Sequence, residues 1–145
     1  MLGKLARWLR ILGYDTLYRN NYRDIELLKD AVYDGRILLS RDRELIGLAK
    51  GRGYFVGSTN IKEQLADVIG HFNLNREPVI TVCPNCNGRV HKVRKESVEG
   101  DVPQYTYLTH THFYRCALCG RVYWRGSHLP LAKAFLGRIF SNDET

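Results

Sequence analysis

The chain has 145 residues, a formal net charge of +7, a pI of about 9.4 and a hydrophobic fraction of 44%. That fraction is enough for a packed core and excludes a wholly disordered chain. No apolar run approaches the roughly 20 residues that span a bilayer, so we predict a cytoplasmic protein without a membrane partner. The positive charge favours an anionic partner, nucleic acid before any other.

The first half of the chain alternates helical and strand-like patterns. Leucines at helical spacing predict a helix over residues 2–12 whose opposite face carries Lys4, Arg7 and Arg10. The next predicted elements are a short strand over 16–18, a helix over 24–34, a strand over 36–40, a helix over 42–50 and a strand over 54–56. A last helix follows, with Ser58, Thr59 or Asn60 as its N-cap, and runs to about residue 72. This alternation predicts an α/β fold with a parallel sheet and crossover helices.

The second half of the chain has mostly short β-prone segments in place of alternating helices and strands. After a linker-like stretch, β-prone pieces occur over 79–82, 89–93, 105–114 and 121–124, and a helical pattern returns over 129–140. We therefore predict an α/β domain over 1–77 and a small β-rich domain with a C-terminal helix over 78–145.

The four cysteines form two C-x2-C pairs, CPNC at Cys83 and Cys86 and CALC at Cys116 and Cys119. Two residues between thiolates let one tight turn present both sulfurs to a single ion, and two such turns complete the tetrahedron that zinc accepts. A disulfide framework is the alternative, but it is disfavoured in the cytosol. We predict a structural zinc site in a zinc ribbon, with no open position for catalysis.

Two aspartates are the candidate catalytic residues. Asp42 comes just after the strand over 36–40, and Asp24 opens a predicted helix. Ligands of parallel α/β sheets bind beyond the carboxyl ends of the strands, and converging carboxylates hold Mg²⁺ or Mn²⁺. Such an ion activates water and stabilises a phosphodiester's transition state. The alternative is that each aspartate only caps its helix.

Basic and aromatic residues are the candidate RNA contacts. Residues 78–140 contain nine Lys and Arg against three Asp and Glu, a net of +6. Aromatic side chains beside arginines stack bases while neutralising phosphates. The predicted RNA-binding residues are Lys4, Arg7, Arg10, Arg41, Arg121, Tyr123 and Arg125. The alternative is that the helix face is merely solvated and that the aromatics brace a small zinc module.

Four stretches carry a family resemblance that spans nearly the whole chain. MLGKLARWLRILGYDT, GRILLSRDREL, CPNCNGRV and CGRVYWRGSH, in this order and spacing, resemble the Mut-seven C-terminal RNase domain family. The resemblance implies a PIN-like nuclease fold with an appended zinc ribbon and RNA hydrolysis at clustered acids that hold Mg²⁺ or Mn²⁺. It implies that Asp42 is one of those acids. Asp24 corresponds less closely to the acid that the family carries on a helix.

The resemblance also implies a short strand directly before the MLGKLARWLR helix, whose end supplies the first acid of the cluster. The printed chain starts with that helix. Because removing a central strand leaves backbone groups unpaired, we expect Met1 to be an internal methionine and the strand to lie upstream.

The predicted function is a metal-dependent endoribonuclease in which the ribbon contributes to RNA binding. Two alternatives stay open. One is a non-catalytic RNA-binding module with a degenerate PIN-like domain, and the other is an adaptor that acts through protein contacts.

Overall fold

The structure is a computed structural model that describes residues 2–126 and 128–140, with only the backbone for His128. Met1, on which the prediction about the true start depends, lies outside the described residues. The helices are α1 (Gly3–Ile11), α2 (Asp24–Tyr33), α3 (Arg43–Leu48), α4 (Ile61–Phe72), α5 (Gln104–Thr109) and α6 (His128–Phe140), with a 3₁₀ helix over Lys95–Val98. The strands are β1 (Leu38–Ser40), β2 (Gly53–Phe55), β3 (Val90–Val93), β4 (Phe113–Cys116) and β5 (Val122–Tyr123).

The contacts within the chain define two compact units. The first unit contains the residues up to Ala6 and Leu17–Leu74, and the second contains Arg7–Thr16 and the residues from Asn75 onward. The domains predicted from the sequence, 1–77 and 78–145, stay a prediction.

The first unit is built on a β1–α3–β2 crossover. The two strands are parallel, with Leu38 opposite Gly53 and Ser40 opposite Phe55. A small core of Ala31, Leu38, Leu45 and Ala49 lies where α2 and α3 pack against β1. This arrangement confirms the predicted α/β class with a parallel sheet and crossover helix.

The predicted strand over 16–18 is wrong. Thr16 donates its N–H to Asn87 Oδ1 over 2.8 Å, and its carbonyl accepts from Arg10 Nε over 2.9 Å. Because the N–H and the carbonyl of Thr16 are both hydrogen-bonded to side chains, they do not pair with a neighbouring strand.

The helix α4 begins and ends at asparagines. Asn60 Oδ1 accepts hydrogen bonds from the N–H groups of Lys62 and Glu63, at 2.8 and 3.4 Å. Asn73 ends the helix in the left-handed region with φ +53°, a conformation that asparagine tolerates better than most residues. The sequence pattern predicted the end of this helix at about Phe72 and offered Ser58, Thr59 and Asn60 as its N-cap, of which the structure uses Asn60.

The second unit contains an antiparallel sheet in the order β3–β4–β5. Val90 lies opposite Cys116, and Tyr114 lies opposite Tyr123. The four cysteines converge beside this sheet, which confirms a β-rich module consistent with a zinc ribbon. The predicted strand over 79–82 contributes only one bridge, between Val82 and Arg89.

The predicted strand over 105–114 is wrong in its first half, where α5 forms. Pro103 precedes this helix, and the N–H of Tyr107 donates to the Pro103 carbonyl over 3.0 Å. Thr109 Oγ1 donates back to the Tyr105 carbonyl over 2.7 Å. These local bonds outweigh the strand preference of the β-branched and aromatic residues in this stretch.

No helix within residues 2–126 and 128–140 has both the length and the apolar character needed to cross a membrane.

Candidate metal centre and candidate active site

The two cysteine pairs sit on tight turns that the backbone closes. In the first turn, the N–H of Asn87 donates to the Cys83 carbonyl and that of Cys83 donates to the Gly88 carbonyl, both over 2.8 Å. In the second turn, the N–H of Gly120 donates to the Cys116 carbonyl over 3.0 Å. Asn87 and Gly120 adopt φ of +70° and +80°, so each turn uses a residue that accepts the left-handed region.

The four sulfur atoms form a compact group. All lie within 4.8 Å of one another, with 3.4 Å between Cys86 and Cys116 and 3.7 Å between Cys83 and Cys119. Sulfurs of a zinc tetrahedron with bonds of about 2.3 Å lie about 3.8 Å apart. The four cysteines are therefore placed closely enough to hold a zinc ion, and none of them is paired as a disulfide.

The thiols differ in how readily they ionise. Burial raises the pKa of the Cys86 thiol to about 12. Burial also raises the pKa of Cys116, but the N–H groups of Cys119 and Leu118 and the neighbouring thiols outweigh it and lower that pKa to about 7. Four thiolates in one group repel each other, and a bound divalent cation favours their ionised form.

Polar side chains of the second unit form hydrogen bonds to the first cysteine turn. Arg10 Nη1 donates to the Pro84 carbonyl over 3.1 Å, and Asn87 Nδ2 donates to Asp15 Oδ1 over 2.6 Å. The Tyr123 hydroxyl lies 2.9 Å from Cys83 Sγ and donates to it when that cysteine is a thiolate. Such outer contacts orient metal ligands and tune their charge.

Sequence reasoning missed the supporting roles of Arg10, Asp15 and Asn87. Arg10 and its partner Pro84 are 74 positions apart, and Asp15 and Asn87 are 72 positions apart, so no local spacing connects the members of either pair. The sequence predicts that Arg10 lies with Lys4 and Arg7 on an exposed face of α1, either facing RNA or merely solvated, yet only 8% of Arg10 is exposed. Burial lowers the pKa of Arg10 from its ordinary value, and the charges of Cys86 and Cys83 partly offset this.

Asp42 caps α3 at the carboxyl end of β1. Its Oδ1 accepts from the N–H groups of Glu44 and Leu45, at 3.0 and 3.2 Å. The other carboxylate oxygen has no hydrogen-bond partner within the described residues, and the side chain is exposed. The cap and a metal-ligand role use different oxygens, so the two interpretations of Asp42 are compatible.

Asp24 is the first residue of α2 and is exposed. The N-cap position belongs to Arg23, which pairs with Glu26 over 3.0 Å. Asp24 makes no hydrogen bond or ion pair with any described residue. Its carboxylate is available to a ligand, and the shared role of Asp24 and Asp42 stays a prediction.

The carboxyl ends of β1 and β2 form one edge of the parallel sheet. The Arg43 guanidinium lies 3.9 Å from the centre of the Phe55 ring, which brings the start of α3 beside the end of β2. Past β2, Ser58 Oγ donates to Glu63 Oε2 over 2.5 Å. Glu63 is an acid that sequence reasoning missed, although the strand-end logic that selected Asp42 applies equally to β2.

Among the described residues, one group of His, Cys, Asp or Glu side chains is close enough to hold a metal ion. It consists of the four cysteines. Asp42 and Asp24 thus belong to no described group of three acids.

The predicted RNA-binding residues fall into two classes. Five of them, Lys4, Arg7, Arg41, Arg121 and Arg125, are exposed. Arg10 is buried, and the hydroxyl of half-buried Tyr123 contacts Cys83. Contact with RNA stays a prediction for all seven.

Comparison with protein families gives a match over nearly the whole chain. The family model described as Mut7-C RNAse domain matches residues 1–136. No curated protein and no solved structure matches the chain.

Proposed function

Because the chain belongs to the Mut7-C RNAse domain family, we propose that it is a metal-dependent endoribonuclease. Membership of this family supports a nuclease function in general. The finer proposal is that Asp42 and Asp24 help to hold Mg²⁺ or Mn²⁺ and that the enzyme hydrolyses RNA phosphodiesters in the cytoplasm. A structural zinc ion held by the four cysteines completes the proposal.

The observation that carries the proposal is the state of the Asp42 carboxylate. One oxygen fixes the side chain at the start of α3, and the other has no described partner. A cap of this kind holds a ligand oxygen in one place at the edge of the sheet where α/β proteins bind their ligands. Asp24 adds a second exposed carboxylate from the same unit.

The chemistry assigned to each residue follows from its charge. A bound Mg²⁺ or Mn²⁺ supplies an activated water and neutralises charge on the phosphate. Asp42 and Asp24 provide oxygen ligands, which is the donor type that these ions prefer. Exposed Arg41, beside Asp42, orients the RNA backbone by contact with a phosphate.

The test is a charge-removing substitution that preserves the cap. Asparagine caps helices as well as aspartate, so Asp42→Asn keeps α3 while it removes the charge. We expect this variant to lose at least about a hundredfold in cleavage of labelled single-stranded RNA with Mg²⁺ or Mn²⁺. Asp24→Asn should reduce cleavage in the same direction.

The matched control is Asp34→Asn, which removes one exposed acid at the opposite end of α2. It should cleave like the parent protein, and circular dichroism should show all three variants folded. If Asp42→Asn cleaves at the parent rate, the proposed active site is wrong.

One observation favours a second candidate, a non-catalytic RNA-binding module. The described residues contain no group of three converging acids. That candidate predicts RNA binding that weakens steeply with salt, because phosphate contacts release counterions, and no cleavage with any divalent ion.

A further inference from the structure

A cavity of about 950 Å³ lies in the second unit, and all its lining residues belong to that unit. Its walls come from the last turns of α1, from the stretch after the second cysteine turn and from α6. Ligand pockets have volumes of about 300–1,000 Å³, so this one is large enough for a nucleotide-sized ligand.

Aromatic side chains form the apolar part of the wall. Trp8 and Phe135 stack with their ring centres 4.7 Å apart and their planes 18° from parallel. Trp124 also lines the cavity, and Phe113, which is fully buried, contacts it with ring centres 6.5 Å apart. These rings are held in place by packing, so they provide a rigid apolar surface for a flat ligand.

The polar part of the wall is strongly positive. Four arginines and one acid line the cavity, namely Arg7, Arg115, Arg121, Arg138 and Asp101. Asp101 is paired with Arg115 over 2.7 Å, and Arg115 also donates to the carbonyls of Gly120 and Ser97. The single acid is therefore already engaged.

Two of the arginines are available to a ligand. Arg7 and Arg121 are exposed, and neither guanidinium makes a hydrogen bond or ion pair with a described residue. An anionic ligand with at least one flat, apolar ring meets both properties of this cavity. Guanidinium groups bind phosphate oxygens in pairs, and aromatic side chains stack bases.

We infer that this cavity binds an unpaired nucleotide of a single-stranded RNA, with its base against the aromatic wall and its phosphate at Arg7 and Arg121. The inference rests on the proposed function, and it identifies the substrate as RNA with an unpaired segment. A base inside a duplex is stacked and paired, so it cannot enter a pocket of this kind without leaving the helix.

The sequence provides a direct reporter for the test. The chain has two tryptophans, Trp8 and Trp124, and both line the cavity. Intrinsic tryptophan fluorescence therefore reports on this site alone. The titration uses the Asp42→Asn protein without added Mg²⁺ or Mn²⁺, so that binding is measured without cleavage.

Five ligands test separately whether the cavity recognises the base, the phosphate and the single-stranded state. They are a 5′-phosphorylated pentauridylate, uridine 5′-monophosphate, uridine, inorganic phosphate and a blunt RNA duplex. We expect saturable quenching by the pentamer and by the monophosphate, which carries both a base and a phosphate, with at least tenfold weaker binding of uridine, inorganic phosphate and the duplex. Trp8→Phe and Trp124→Phe should each remove part of the quenching and weaken binding of the pentamer, because each shortens the aromatic wall.

Charge variants test the phosphate contact. Arg121→Gln should weaken pentamer binding about tenfold, because a charge-assisted hydrogen bond is lost. Arg94→Gln is the matched control, since it removes one exposed positive charge of the same unit away from the cavity. It should change the affinity less than twofold.

The outcomes distinguish this inference from the proposed function. The inference of a nucleotide pocket would be wrong if there were no quenching, if the duplex, uridine or inorganic phosphate bound as tightly as the pentamer, or if Arg121→Gln and Arg94→Gln had equal effects. Cleavage by the unsubstituted protein is assayed in parallel. Quenching without cleavage supports the pocket and refutes the nuclease, whereas cleavage without quenching does the reverse.

Discussion

Arg10 offers the sharpest test of how the first cysteine turn is held. The residue is 8% exposed, and its guanidinium donates to the carbonyls of Thr16 and Pro84 over 2.9 and 3.1 Å. Arg10→Gln shortens the side chain and removes the charge, so it cannot reach both acceptors. Each hydrogen bond from a charged donor contributes about 1.5–3 kcal/mol.

We expect Arg10→Gln to lower the free energy of unfolding by about 2–4 kcal/mol. This is less than the sum of the two hydrogen bonds, because water can bond to the carbonyls that the guanidinium leaves. For a unit of this size, a loss of that magnitude lowers the melting temperature by at least about 8 °C. The measurement is thermal unfolding followed by circular dichroism, with zinc content determined on the same samples. Arg10→Lys should recover part of the loss, because it keeps the charge but lacks the fork of donors.

The control is Arg7→Gln, which removes the same charge one turn earlier on α1. Arg7 is exposed and makes no described hydrogen bond, so its loss should leave the melting temperature nearly unchanged. Equal melting temperatures for the two variants would refute the structural role of Arg10 and would restore its assignment to the RNA-facing side of the helix.

Three further predictions concern the metal site and α4. Gly88→Ala places a Cβ 2.7 Å from Leu118 Cβ and 2.8 Å from Cys116 Sγ, so it should weaken zinc binding at least about tenfold in competition with a chromogenic chelator. Stripping zinc should lower the melting temperature and restoring zinc should reverse this, because metal affinity adds to folding stability; an unchanged melting temperature would contradict a structural site. Asn60→Ala should cost about 1 kcal/mol in urea unfolding, and Asn60→Asp should cost less.

The sequence predicted those parts of the fold that depend on neighbouring residues. The helix α4 has an apolar stripe and a capping asparagine, and its ends were predicted closely. The cysteine pairs were recognisable because a two-residue spacing suffices to bring two sulfurs to one ion. In both cases, local spacing carries the information that decides the structure.

The sequence failed where distant contacts or competing local bonds decide the structure. The strand predicted at 16–18 is wrong because Asn87, 71 positions away, takes the N–H of Thr16. The strand over 105–114 is wrong in its first half because bonds to Pro103 and Tyr105 favour α5, whereas β4 begins at Phe113. The burial of Arg10 depends on a carbonyl 74 positions away, and no periodic pattern encodes such a partner.

The cysteine cluster and the cavity share one segment of chain, so a zinc ion bound to the cluster would support the cavity wall without taking part in hydrolysis. Gly120 closes the second cysteine turn, and the cavity wall begins there and continues to Trp124. The Tyr123 hydroxyl contacts Cys83 while Arg121 and Trp124 line the cavity beside it. A metal with four sulfur ligands has no open position for water, so it acts by fixing these turns. A zinc ion held by the four cysteines would therefore position the arginine and the indole that we assign to the nucleotide, and we expect its removal to weaken RNA binding.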